Sequence, residues 1–452
     1  MNTTKKPNYT LPIIVMFFLF AMISFVTGFQ NPFGVILKAQ LGLSNFQSQL
    51  GAAANFIAYA IMGIPAGLML QKKGYKFSAI AAVFVGIVGV AIMFASSYVE
   101  GNAIFTVYII GALVAGFSMC MLNTVVNPML NTLGGGGKKG NQLIQLGGSC
   151  NSLAATICPI FVGILMGNVT AETSLIDARP ALYVAGGIFV FALIVLALSK
   201  LPEPILDVIN EDEKYESKKQ AVPTLSGALK FPHFVMGIIA IFVYVGLEVG
   251  IPQIANLYMT DSAAKGGLEM NAAIAGSLVG MYWFMMLIGR LVGSAVGGKV
   301  SSKAMLTTVG TVIIVLLVTA IFVPKTITVG VPGISSGESI SFALYDAPLS
   351  ILLFVLAGLC TSVMWGGIFN LAVEGLGKYT AVASGLFMVM VCGGGIVNAI
   401  QAAVADSFGY VSSYWVPVLC AAYILFFALV GSKVTKRDEE GTELIKEDIE
   451  GK

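Results

Sequence analysis

The chain has 452 residues, 57% of them hydrophobic and only 11% charged, with a formal net charge of +2 and a mean hydropathy of +0.88. Soluble domains carry about 25% charged residues, so this composition excludes a soluble domain and points to an integral membrane protein in a lipid bilayer. One histidine, six cysteines without metal-type spacing and no H-E-x-x-H sequence speak against a zinc-dependent membrane enzyme; no metal, other cofactor or nucleic acid partner is expected.

Crossing the hydrocarbon core of a bilayer takes about 20 apolar residues. Runs of that order recur at 11–37, 46–70, 77–97, 102–132, 142–168, 180–199, 234–259, 271–297, 302–323, 347–371, 380–405 and 411–432, twelve in all. The first is too long for a cleaved signal peptide and lacks a small-residue cleavage pattern. With the N-terminus in the cytoplasm, the cytoplasmic segments carry Lys5, Lys6, Lys72, Lys73, Lys76, Lys138, Lys139, five lysines between 200 and 230, Lys299, Lys303, Lys378 and a basic tail from Lys433. That is twenty basic residues against four on the other side, Lys38, Arg179, Lys265 and Lys325. Cytoplasmic loops concentrate positive charge, so both termini are expected in the cytoplasm, in agreement with an even number of crossings.

Within this frame the remaining features fall in order. The glycine-rich GGGGKKG at 134–140 lies between the fourth and fifth runs and lacks G-K-[ST], so it does not read as a nucleotide site. The cysteines Cys120, Cys150, Cys158, Cys360, Cys392 and Cys420 all sit inside apolar runs and read as isolated buried thiols. The segment 200–232, with INEDEKYESKKQ, has the composition of a solvated linker. His233 follows Pro232 at the start of the seventh run, and the outer segment 324–346 is long enough to fold over a cavity mouth.

The linker splits the chain into an N-terminal six-helix bundle (1–199), the linker (200–232), a C-terminal six-helix bundle (233–432) and a tail (433–452). Three matches in the same order support a duplication. GIPAGLMLQKKGYK (63–76) corresponds to GRLVGSAVGGKVSSK (289–303), each a G-x-x-x-G before a short basic turn. GFSMCMLNTVVNPMLNTLG (116–134) corresponds to GLCTSVMWGGIFNLAVEGLG (358–377), and GGSCN (147–151) to GGGIVN (393–398). The expected fold class is all-α: twelve transmembrane helices in two pseudo-symmetric bundles. Parallel repeats of this kind place a substrate site between the halves near mid-membrane.

LSNFQ (43–47), PAGLMLQKKGYK (65–76), Asn127-Pro128 followed by LNTLG, GLGKYT (375–380) and the GGGI of the eleventh run together resemble the fucose/glucose/galactose–cation symporter family of the major facilitator superfamily. The resemblance runs from the first helix to the twelfth. It implies an alternating-access transporter, not an enzyme, that imports a monosaccharide with a cation, either H⁺ or Na⁺. Glucose-type hexoses lead among the substrates. It also implies a bacterial inner membrane, with one translocation path per chain and a monomer as the working unit. An uncoupled facilitator of the same fold stays open.

Polar side chains inside a membrane normally face a cavity or a partner helix. Here they are Gln30 and Asn31 in the first run and Asn55 in the second. Asn123, Asn127 and Asn131 follow at i, i+4, i+8 on one face of the fourth, then Gln145, Ser149 and Asn151 in the fifth. The second half has Tyr244, Glu248, Gln253 and Asn256, then Tyr282 and Trp283, Trp365 and Asn370, and Asn398 and Gln401. An amide offers donors and an acceptor to adjacent hydroxyls of a polyol, and an aromatic ring packs on the apolar face of a pyranose. Candidate sugar contacts are therefore Gln30, Asn31, Asn55, Asn123, Asn127, Gln145, Asn151, Tyr244, Trp283, Trp365, Asn398 and Gln401. Amides also bond helix to helix, and Asn127, before Pro128, has that reading most strongly.

Aligned on its motifs, the resemblance puts Asn31 and Asn123 where the fucose–proton symporter pattern carries acids. An amide bonds a hydroxyl but takes up no proton. Glu248 and Arg290 are the charges left within the expected spans. Arg290, near the inner end of its run, reads as a gating or structural contact. Glu248 lies deeper, where an isolated charge costs a few kcal/mol, and is the candidate cation-coupling group.

Overall fold

Inside hydrocarbon every backbone N–H and C=O needs a partner within the protein, which makes helices the default for these runs. The structure, a computed structural model, describes residues 9–28, 36–37, 40–41, 50–166, 175–176, 178–203, 224–336 and 340–438. Its helices are α1 (Thr10–Gly28), α2 (Leu50–Ala95), α3 (Ala103–Leu133), α4 (Gly137–Met166), α5 (Arg179–Leu198), α6 (Pro232–Thr260), α7 (Ala272–Gly297) and α8 (Ser302–Phe322), then α9 (Leu349–Thr361), α10 (Met364–Ala372), α11 (Thr380–Val389), α12 (Gly393–Phe408) and α13 (Trp415–Phe426). Among the described residues, nine helical stretches are long and apolar enough to cross a membrane.

One of those nine, Ala53–Tyr98, takes in both the second and the third apolar run. The break between them is Gly74, whose φ of 78° belongs to the left-handed region that glycine enters without a Cβ penalty. Beyond it the Glu203 carboxylate accepts from the backbone N–H of Tyr75 at 2.5 Å and of Lys76 at 2.7 Å, as an anion does at a helix N-terminus. Lys76 Nζ donates to the carbonyls of Ala197 and Ser199 at the end of α5.

The all-α expectation fails at one place. Thr328–Ser336 (β1) pairs antiparallel with Ile340–Pro348 (β2), with Thr328 opposite Pro348 and Val331 opposite Tyr345. The physical reason is local: TVGVPGISSGESISFALYDAP has no sustained apolar helical face and places Gly and Ser at its middle, a hairpin signature. Val331 and Ala347 are buried, while Phe342 and Leu344 stay exposed.

The chain divides into two units by packing. The first comprises Met1–Phe234, Val373–Met390 and Val434–Lys452; the second comprises Val235–Ala372 and Val391–Lys433. In the first unit α11 lies against α2 almost backbone to backbone. A Cβ on Gly67 would stand 2.8 Å from Gly385 Cα, and one on Gly63 2.7 Å from the Gly385 carbonyl oxygen. Ser118 Oγ of α3 donates to the Ala82 carbonyl of α2 at 2.6 Å. Val190, Phe191 and Ile194 of α5 are exposed, the apolar exterior that a bilayer-facing helix presents.

In the second unit the paired glycines of the other repeat, Gly289 and Gly293 of α7, meet Ser362 and Val363 at the joint between α9 and α10. The two G-x-x-x-G motifs are thus both close helix crossings. Phe354 and Tyr414 stack at 3.8 Å with 9° between the rings, and the Tyr414 hydroxyl donates to the Ile251 carbonyl at 2.9 Å.

Candidate functional site

Among the described residues, three groups of polar side chains inside the helices bear on the candidate site. The first, in unit 1, is on α3. Asn123 is buried and its Nδ2 donates to the Tyr59 hydroxyl of α2 at 2.6 Å. Asn127, one turn on, donates to the Asn123 carbonyl at 2.9 Å and lies 3.3 Å from Asn123 Oδ1. Helical spacing brings these side chains together as expected, but Asn127 is engaged by its own helix. Gln145 is buried beside Asn141 of its own helix, 3.5 Å away. Asn151 donates to the Phe20 carbonyl at 2.9 Å and so ties α4 to α1. Asn55 faces α3, its Oδ1 3.0 Å from the position a Cβ on Gly116 would take. Gln30 and Asn31 lie outside the described residues.

The second group, in unit 2, surrounds Glu248. One helical turn separates it from Tyr244, whose hydroxyl donates to Glu248 Oε1 at 2.8 Å. Arg290 of α7 reaches the same oxygen at 3.4 Å; the two charged side chains are only 14% and 12% exposed. Tyr282 donates to the Glu248 backbone carbonyl at 3.0 Å and lies 3.1 Å from Thr361 Oγ1 of α9. Trp365 meets the Tyr244 ring edge-on, 6.3 Å between centroids. Helices α6 and α7 thus meet at the carboxylate itself, while α9 and α10 pack on its neighbours Tyr282 and Tyr244. Sequence separation placed Glu248 and Arg290 at different depths; packing brings them into one ion pair. Trp283 packs its edge on Tyr282 at 5.3 Å and is 39% exposed.

The third group joins α6 to α12, also in unit 2. Asn398 Nδ2 donates to Gln253 Oε1 at 3.0 Å. Asn398 Oδ1 and Gln401 Oε1 both crowd Gly250, Asn398 Oδ1 at 2.6 Å from the position of its missing Cβ. Gln401 is fully buried, and neither polar atom of its amide finds a hydrogen-bond partner among the described residues. Buried polar groups are nearly always bonded, and each exception asks for an explanation.

Sequence reasoning missed Tyr59 and Thr361 as partners of these groups. The signal for Tyr59 was slight: a buried Tyr hydroxyl usually finds a bond, and nothing in the spacing told which. Outside the spans, Tyr410 donates to Asp261 at 2.5 Å; burial first, then the Asp261 carboxylate, pushes its hydroxyl up to about 12. No group of three or more His, Cys, Asp and Glu side chains that could hold a metal occurs among the described residues.

Chemically, the amides can exchange hydrogen bonds with hydroxyl groups, and the arginine compensates the charge of the carboxylate. The Major Facilitator Superfamily model matches residues 16–399. The chain is 30% identical over 439 residues to a glucose/galactose transporter of Brucella abortus, covering 96% of this chain and 97% of that one. It is 22% identical over 450 residues to the L-fucose-proton symporter of Escherichia coli, covering 94% of each. A crystal structure of a Major Facilitator Superfamily transporter, FucP, in the outward conformation superposes with a TM-score of 0.75 at 20% identity, covering 94% of this chain and all of that one.

Proposed function

The chain belongs to the Major Facilitator Superfamily, and on that premise we propose that it imports a monosaccharide, a glucose-type hexose, together with a coupled cation by alternating access. In this reading twelve spans cross a bacterial inner membrane with both termini in the cytoplasm, and a single chain is the working unit. The substrate class draws on the glucose/galactose transporter to which the chain is 30% identical along nearly its whole length.

The observation that carries the coupling role is the ion pair inside the helices. Glu248 is held by Tyr244 and Arg290 at 2.8 Å and 3.4 Å, at a depth where an unpaired charge costs a few kcal/mol. A proton or Na⁺ taking over from Arg290 would keep Glu248 compensated and free the guanidinium, so no bare carboxylate would be left. In this reading Asn123, Asn398 and Gln401 are the amides that read hydroxyls.

The uncoupled facilitator has one observation in its favour. The resemblance puts Asn31 and Asn123 where the fucose–proton pattern carries acids, and amides stand there in place of two titratable groups. Uptake of radiolabelled hexose, with and without Na⁺ and with a protonophore, separates the readings for wild type and Glu248→Gln. Accumulation against a gradient that Glu248→Gln abolishes, with exchange intact, supports coupled import. Normal accumulation by the Gln variant removes Glu248 from coupling. Equal hexose inside and outside in wild type favours the facilitator.

A further inference from the structure

Three stretches of the first unit, remote in sequence, are tied at one place. Arg437 pairs with the Glu374 carboxylate at 3.2 Å. The Asp438 N–H donates to the Gly375 carbonyl at 2.8 Å, and Asp438 Oδ2 accepts from the Lys378 N–H at 3.1 Å. The Lys436 ammonium lies 5.3 Å from the centre of the Phe231 ring, within cation–π range. His233 Nε2 donates to the Glu374 carbonyl at 2.8 Å. The segment 436–438 beyond α13 thus lies across the turn between α10 and α11 and beside the start of α6.

The turn is shaped to receive it. Gly375 and Gly377 both have positive φ, 73° and 51°, and a Cβ on Gly377 would stand 2.5 Å from Asp438 Oδ2. The same turn leads directly into α11, whose Gly385 sits on Gly63 and Gly67 of α2. Whatever restrains residues 374–378 therefore also restrains the close crossing of α11 on α2.

We propose that Lys436–Asp438 is a latch on the α10–α11 turn, holding α11 seated against Gly63 and Gly67, and that its release sets the pace of the transport cycle. It goes beyond the substrate and cation assigned above and rests on the transport reading only for its kinetic readout. The contacts suit a device that opens. Arg437 and Glu374 are 52% and 42% exposed, so their attraction is weak and screened by salt. The Asp438 bonds to backbone supply the geometry, and the left-handed Gly375 and Gly377 set no side chain of their own against Arg437 and Asp438.

Hydrogen–deuterium exchange on the full chain in lipid nanodiscs tests this. In a double variant, Arg437→Ala with Asp438→Ala, amide exchange across 374–389 rises on the order of fivefold or more, while exchange in α3 is unchanged. The initial rate of hexose counterflow rises with the half-saturating concentration unchanged. Glu374→Arg alone raises exchange, and adding Arg437→Glu restores it. Unaltered exchange across 374–389 in the double variant overturns the latch, as does failure of the charge swap to restore protection. Loss of protection in α3 as well marks a general folding contact and also counts against it. An absence of hexose transport in wild type sinks the transport reading, yet leaves the exchange arm intact.

Discussion

Arg290 stands 3.4 Å from Glu248 Oε1, on the same carboxylate oxygen that accepts the Tyr244 hydroxyl. Two donors on one oxygen, from two helices, make Glu248 the point where α6 and α7 are registered. The pair is nearly buried, so its halves cannot be removed independently.

Removing one charge exposes that dependence. Arg290→Met leaves the carboxylate with Tyr244 alone and is expected to destabilise the protein by about 3 kcal/mol, the lower end for breaking a buried pair. Combining it with Glu248→Gln should recover most of the loss, because no bare charge remains. The apparent Tm of the two single variants and the double, in detergent, checks this. Equal Tm for Arg290→Met and the double variant would mean that a carboxylate left without its arginine costs the fold nothing.

The Gly67–Gly385 crossing gives a steric prediction. Cβ atoms at Gly67 would meet Gly385 Cα at 2.8 Å, and backbone cannot swing aside as a side chain can. Gly67→Val should therefore force the helices apart, at about 1–3 kcal/mol as for other overpacked sites, and suppress transport. Gly187→Ala in α5, with no neighbour within 4 Å, is the control and should be neutral. Wild-type transport in Gly67→Val would show that the crossing is dispensable.

How far these features were legible in the sequence depends on the physics behind each. The G-x-x-x-G spacing of 63–67 and 289–293 signals close helix approach, yet it does not say which helix approaches. Gly385 and Ser362 are recognisable only from the packing. The i, i+4 rule joined Tyr244 to Glu248 and Asn123 to Asn127, since a helix fixes those neighbours locally. Arg290 escaped it because a long, flexible side chain on another helix reaches across several ångströms of depth. The hairpin 328–348 escaped for a different reason: membrane composition favours reading every ordered element as helix, while the alternation of this segment is local and short.

Asn123 and Asn127 look alike in sequence but should behave differently. Asn127 already donates to the Asn123 carbonyl, whereas Asn123 reaches across to Tyr59 and can redirect its amide to a hydroxyl. Asn123→Ala is expected to raise the hexose Kd about tenfold, equivalent to ~1.4 kcal/mol, and Asn127→Ala less than about twofold. Binding of labelled hexose to purified protein decides. Equal losses would return both to a common structural role.

Tyr410 sets an alkaline limit. Its hydroxyl ordinarily titrates at 10.0 and is raised to about 12, by burial and by the Asp261 carboxylate it donates to. A group with a raised folded-state value contributes stability that is present below pH 10.0 and is lost as the pH climbs towards 12. Tyr410→Phe should remove that component, so its Tm falls less steeply across this window than that of wild type. Parallel curves would show that the bond does not survive in solution.

Gln401 offers the sharpest separation of stability from function. Its amide is fully buried against Gly250 with neither polar atom bonded among the described residues. A buried amide left unsatisfied costs about 1–3 kcal/mol, a burden that persists where activity requires the group. Gln401→Met keeps the length and removes the polar atoms, so the substrate-free protein should melt at a higher temperature. If the amide serves hexose, the same variant should bind it more weakly and lose most of the rise in Tm that hexose gives wild type, since a ligand stabilises only through its affinity for the folded state. A Met variant that is less stable, with hexose stabilisation intact, would place Gln401 among the helix-to-helix contacts and outside the sugar site.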